Sequence, residues 1–271
     1  YDYDGTWKVL DYTVTLDEEN GDVINDAIVK RNRTVEELLG VELELFMLDG
    51  SDRNSASKLT TLVMAGDDTV DFAMYMAAAL PSILGTPDML VNLEDITTLD
   101  LSNPWWNQDT VQEFNLFGTQ YAVSGDINLL ANSGVVVTYF NKQLAVDLGL
   151  GDMYQLVYDG EWTLDCMIEL SKTAARDLNG NGEVDIFEDQ FGFMCEKDTL
   201  QYLFSSADIK FVEKTSDSLE LAAYNERAVS LIEKAVPFFH EATTTIFADN
   251  LFDQYPSAFA DVLVPTFTSN R

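Results

Sequence analysis

Residues 121–141, YAVSGDINLLANSGVVVTYFN, are the stretch on which the fold turns. Residues 121–123 have the composition of a short strand, Ser124-Gly125-Asp126 that of a polar break, and residues 135–140 that of a second strand rich in β-branched and aromatic side chains. On either side, helical and extended patterns alternate, the order from which parallel sheets are built. The expected architecture is α/β, in two lobes: residues 1–124, a hinge or crossover at 125–134, and residues 135–271. An extended crossover carrying an acid and small polar residues is where such a protein places a cleft, which nominates Asp126 and Asn128 for hydroxyl groups of a ligand. Asp126 can equally cap its own turn.

Working back from that stretch, residues 8–14 read as a strand. In 22–39 the apolar positions Val23, Ile24, Ala27, Ile28, Val35, Leu38 and Leu39 recur at helical spacing, with Gly21 or Asp22 to start the helix and Gly40 to stop it. Residues 41–47 alternate, with Glu42 and Glu44 on one face, as a strand with one wet side does. A helix over 55–65 closed by Gly66 and a strand over 71–76 complete a pattern that predicts a parallel sheet with right-handed crossovers. Ligands sit beyond the carboxyl ends of such strands, which makes Tyr75 a candidate, with core packing as its other reading. In Pro104-Trp105-Trp106-Asn107, neighbouring side chains of an extended segment diverge, so the two indoles do not share one core. An exposed indole among amides and acids suits the apolar C–H face of a sugar. The other reading packs one ring under the lobe and lays the other over a loop.

Working forward, residues 142–148 form a short helix ending at Gly149, and residues 154–159 lead to Trp162. Thr163 caps a helix running to about 176; Trp162, one residue before the cap, is either a staple residue or a cleft residue. The most complete motif follows. Asp177, Asn179, Asn181, Gly182, Asp185 and Glu188 stand at positions one, three, five, six, nine and twelve of an EF-hand calcium loop, and Glu183 supplies the seventh-position carbonyl. Oxygen donors at alternate positions curl round a hard cation, glycine makes the turn and a late acid closes the shell. Val184, at the eighth position, is expected to pack inward. The exit is a turn and strand over 189–195 rather than a second helix, so the site is read as structural and not as a calcium switch. A metal-free polar helix terminator is the alternative. Helix over 200–204, a hairpin over 210–223 turning at 215–218, and a helix over 225–241 complete the pattern, with His240 a surface residue at the last helix end.

Composition narrows the function. Against 47 Asp plus Glu there are 15 Lys plus Arg, a net charge of −32, which repels phosphate backbones and anionic lipid and argues against nucleic-acid partners. One histidine rules out zinc clusters built on histidine pairs. No apolar run approaches the ~18 residues of a membrane span. The chain begins at Tyr1, as a mature or trimmed domain does. Cys166 and Cys195 are read as two separate thiols or as one pair.

Four motifs in order, Pro104-Trp105-Trp106, Tyr139-Phe140-Asn141-Lys142, Gly160-Glu161-Trp162-Thr163 and Asp189-Gln190-Phe191-Gly192, together resemble the extracellular solute-binding proteins of bacterial ABC importers, in the sugar-binding branch that includes maltose-binding protein. The resemblance spans residues ~60–195. It implies a periplasmic-binding-protein-like fold, two α/β lobes closing on a sugar or oligosaccharide at a hinge, a membrane permease as partner, a monomer, no catalysis, and an extracytoplasmic location with a lipid anchor on a removed leader. It places Trp162 near the cleft and brings Asp189 into competition with Glu188 as the closing ligand of the calcium loop. A complete member is longer, so the C-terminal part of the second lobe is expected to be missing. The ligand set is thus Trp105, Trp106, Asp126, Asn128, Tyr75 and Trp162; the calcium set is Asp177, Asn179, Asn181, Glu183, Asp185 and Glu188. A secreted carbohydrate-active enzyme with paired carboxylates and a calcium-stabilised cell-surface interaction domain are the alternatives.

Overall fold

The computed structural model describes residues 18–46, 52–75, 77–86, 88–129 and 135–269. It is a mixed helix and strand protein that divides into two compact units, Tyr1–Val135 and Val136–Arg271. None of the described helices is long and apolar enough to cross a membrane.

The first unit opens with α1 (Val23–Leu39). The Asp22 carboxylate accepts hydrogen bonds from the Ile24 and Asn25 amides, and Gly40 ends the helix in the left-handed region at φ 65°. Helix α2 (Asp52–Met64) packs with α3 (Leu80–Leu84) around Ala56, Leu59, Ala79, Ile83 and Met89. Helix α4 (Gln108–Phe114), started by the Asn107 side chain on the Thr110 amide, runs into a hairpin of β1 (Asn115–Leu116) and β2 (Thr119–Gln120).

The predicted parallel sheet of this unit is not found among its described residues. Residues 41–46 and 71–75 are irregular, and Val41, Leu45, Phe46 and Phe72 are exposed. A strand exists only through a partner's ladder of hydrogen bonds, and alternation alone does not supply one. The strand expected at 8–14 lies outside the described residues, as do Met47 and Met76. Residues 121–123 and 135–140 are irregular for the same reason; Val135, Val136, Val137 and Tyr139 face solvent.

The second unit is built as its capping signals indicate. Helix α5 (Lys142–Asp147) starts at Asn141, and α6 (Met153–Tyr158) at Asp152, whose carboxylate accepts from the Tyr154 and Gln155 amides. Helix α7 (Leu164–Ala174) starts at Thr163, whose hydroxyl accepts from the Cys166 amide. After the 177–189 loop come β3 (Phe193–Cys195), α8 (Asp198–Ser206), an exposed hairpin of β4 (Val212–Lys214) and β5 (Leu219–Leu221), α9 (Glu226–Phe239), β6 (Thr245–Phe247) and α10 (Val264–Thr268). Strands β3 and β6 pair in parallel, Phe193 against Thr245 and Cys195 against Phe247. Successive side chains of a strand point to opposite faces, and here both faces are covered. Phe193, Cys195 and Phe247 join the core of Met167, Ile168, Ala235, Phe238 and Phe239; Met194 and Ile246 join that of Phe191, Ala248, Ala258 and Leu263. Among the described residues this covered pair, β3 and β6, forms the parallel sheet, two strands wide.

Candidate functional site

Two groups of predicted residues are gathered locally, one in each unit. In the first unit the Trp105-Trp106 segment lies against residues 124–126. Trp106 bridges Gly125 in antiparallel fashion, the Asp126 amide donates to the Trp105 carbonyl at 2.8 Å, and the Asn107 amide donates to the Ser124 carbonyl at 2.8 Å. Gly125 is required by this approach, because a Cβ there would lie 2.2 Å from the Trp105 carbonyl oxygen. The two indoles diverge. Trp105 is 50% exposed, while Trp106 is half-buried and donates its Nε1 hydrogen to the Asp100 carbonyl at 3.1 Å. Asp126 does not cap its turn. The Asn128 amide closes that turn on the Gly125 carbonyl at 2.9 Å, and the exposed Asp126 carboxylate accepts no hydrogen bond among the described residues. The backbone pairing thus brings the segment of an exposed indole to that of an exposed carboxylate and a carboxamide residue, side-chain types that cover sugar C–H and bond hydroxyls.

The other two nominated ligand residues are placed differently. Tyr75 is half-buried against the Ala56–Ile83 cluster, and that burial raises its phenol above the ordinary range. Trp162 belongs to the second unit and packs on the core containing Met167, four residues beyond the Thr163 cap, which is the staple arrangement.

In the second unit the 177–189 loop is closed at its base by paired backbone bonds, Arg176 N–H to the Gln190 carbonyl at 2.8 Å and Gln190 N–H to the Arg176 carbonyl at 3.0 Å. Asp177 accepts from the Gly180 amide at 2.6 Å and the Gly182 amide at 2.8 Å, and the Gly182 bond is the largest cause holding its carboxyl below the usual range. Gly180 and Gly182 take φ of 72° and 77°, which only glycine adopts freely. Asn179 and Asn181 accept from the amides two residues on, and Asp185 from that of Phe187. Glu188 and Asp189, which the sequence leaves in competition, part company here. Asp189 is 2% exposed and accepts from the Leu178 and Asp185 amides at 3.0 and 2.9 Å, pinning both ends of the loop. Glu188 is exposed and accepts from the Asn179 side chain at 2.8 Å. Val184 does not pack inward; it is 45% exposed, and Ile186 fills that place against the Phe191 cluster.

The donor chemistry of the loop fits a hard cation: carboxylates at 177, 185 and 188, carboxamide oxygens at 179 and 181, and the 183 carbonyl. Among the described residues no three acidic, cysteine or histidine side chains already stand together as a metal-holding group. Each loop oxygen that accepts from an amide keeps acceptor capacity for a further partner.

Sequence reasoning missed the part played by Asp189 and helix α6. The cap signal for the helix, Asp152 after Gly151, was present in the chain. Both thiols are free, Cys195 buried and Cys166 half-buried. Comparison with family models, with curated proteins and with solved structures returns no match.

Proposed function

We propose that this chain is the extracytoplasmic binding component of an ABC importer, with a periplasmic-binding-protein-like fold, and that it captures a sugar or oligosaccharide for a membrane permease. The observation that supports the reading is the backbone pairing of residues 105–107 with 124–126, which joins the segment of the exposed Trp105 to that of Asp126, whose carboxylate accepts no hydrogen bond among the described residues. Trp105 stacks on the sugar ring, and Asp126 and Asn128 take its hydroxyls; Trp106 holds the segment through Asp100. Tyr75 and Trp162 serve packing. Segment 125–134 is the hinge of this reading.

Calcium is proposed as a structural cofactor held by Asp177, Asn179, Asn181, Asp185 and Glu188 with the Glu183 carbonyl. Bound there, it supplies charge compensation and a rigid loop. Asp189 keeps its two backbone bonds and stays out of the shell.

The test is thermal unfolding with a panel of mono- and oligosaccharides. A sugar present at one hundred times its dissociation constant adds ~2.7 kcal/mol, which raises the midpoint by about 5–10 °C for a chain of this length. Trp105→Ala and Asp126→Ala are expected to remove that rise while leaving the sugar-free midpoint within about 2 °C, since both side chains are exposed. If no sugar moves the parent protein, or if both variants respond as the parent does, the reading fails.

A further inference from the structure

We propose that the second unit carries a separate small-ligand groove, between the base of the 177–189 loop and the turn at Thr243 and Thr244, that binds a zwitterion of amino-acid size. The groove has a volume of about 340 Å³, and its lining includes Lys172, Arg176, Asp177, Glu183, Asp189 and Thr244. That volume is at the lower end of small-ligand sites, right for a molecule of a few heavy atoms rather than an oligosaccharide.

The charges around the groove decide the ligand class. In a chain with 15 cations and 47 acids, two cations here face one recess. Among the described residues Lys172 has one ion-pair partner, the exposed Glu169 at 3.5 Å. Arg176 forms no ion pair and no side-chain hydrogen bond among the described residues. Of the carboxylates, Asp177 is held by the Gly180 and Gly182 amides and Asp189 by the Leu178 and Asp185 amides. The Glu183 side chain is exposed and makes no such bond among the described residues. Thr244 is 5% exposed; its carbonyl accepts from the Gly192 and Phe193 amides, while its hydroxyl has no hydrogen-bond partner among the described residues. An unpartnered hydroxyl in the lining of a groove can donate to or accept from a polar ligand atom.

A bare anion entering the groove meets three carboxylates, and a bare cation meets a guanidinium and an ammonium. Only a molecule carrying both charges satisfies the free groups. Its carboxylate pairs with Arg176 and Lys172 and accepts from Thr244, and its ammonium faces Glu183; guanidinium is the side chain best shaped for a carboxylate. None of these residues belongs to the Trp105 face, so the two proposals stand or fall apart. Glu183 offers its carbonyl to the proposed cation and its side chain to the groove.

The test is isothermal titration of the full chain, at one fixed calcium concentration, with each of the twenty standard amino acids, and with acetate and methylammonium as the two half-ligands. At least one amino acid is expected to bind, with each half-ligand at least tenfold weaker. Arg176→Gln and Glu183→Gln are each expected to weaken that binding at least tenfold with an unchanged unfolding midpoint, because both side chains are exposed. The proposal is overturned if no amino acid binds, if acetate binds as tightly as the zwitterion, or if Arg176→Gln loses less than tenfold.

Discussion

Burial pushes the Cys195 thiol up to about 12, with the carboxylates of Asp249 and Glu196 adding to the shift. The thiolate is the reactive form, so at pH 8 its share is on the order of one in ten thousand. In the native protein Cys195 is expected to stay unlabelled by a thiol reagent at pH 8 over hours and to label at once in denaturant, read by mass spectrometry of its peptide. Rapid native labelling would show that the Phe238–Phe239 core opens readily. At this scale adjacency in sequence was informative: two neighbouring tryptophans had to diverge, and they do. What adjacency could not say was which of them is exposed. That depends on Asp100, whose carbonyl takes the Trp106 ring nitrogen.

Between the residue and the whole, the decisive contact of the second unit is a backbone crossing. A Cβ on Gly192 would lie 1.8 Å from the Ser171 carbonyl oxygen, so helix α7 and the start of β3 touch with no side chain between them. Gly192→Ala is expected to lower stability by about 3 kcal/mol, within the usual range for forced overpacking, measured by urea unfolding; a loss under about 1 kcal/mol would mean that the helix simply slides away. Next to it, the buried Gln190 side chain donates to the Ala174 carbonyl and ties the helix end to the loop. Helices were legible because their signals are local: Asp22, Asn141, Thr163 and Asn225 each accept from a first-turn amide of the helix they precede. Strands were legible only where a partner existed, at 193–195 and in the 212–221 hairpin. Residues 41–46 and 135–140 carry the same composition and remain irregular.

For the molecule as a whole the governing quantity is a net charge of −32. Such a chain repels itself when compact, and any salt relieves that by screening over a Debye length of about 8–10 Å. A calcium effect therefore has to be separated from generic screening. At ionic strength held near 0.15 M, chelator is expected to lower the unfolding midpoint and millimolar calcium to restore it, while Asp177→Ala, which removes the acceptor for both glycine amides, is expected to show no calcium response. Equal midpoints of the parent protein with chelator and with calcium would retire the metal. The division into two units is also a whole-molecule property, and it falls between Val135 and Val136, inside an apolar run that has no local stop signal.

What the sequence determined by itself was everything settled within about one helical turn. This covers the caps and stops of the helices and the glycine-rich loop with its alternating oxygens. These depend on hydrogen bonds and steric limits reaching no more than a few residues along the chain. The tertiary structure alone decided which extended segments found a strand partner, which late acid pins the loop, and which indole stays in water. Each of those is a contact between residues far apart in sequence or a matter of what covers a side chain, and the free energy that selects among them resides in burial and pairing rather than in the local chain.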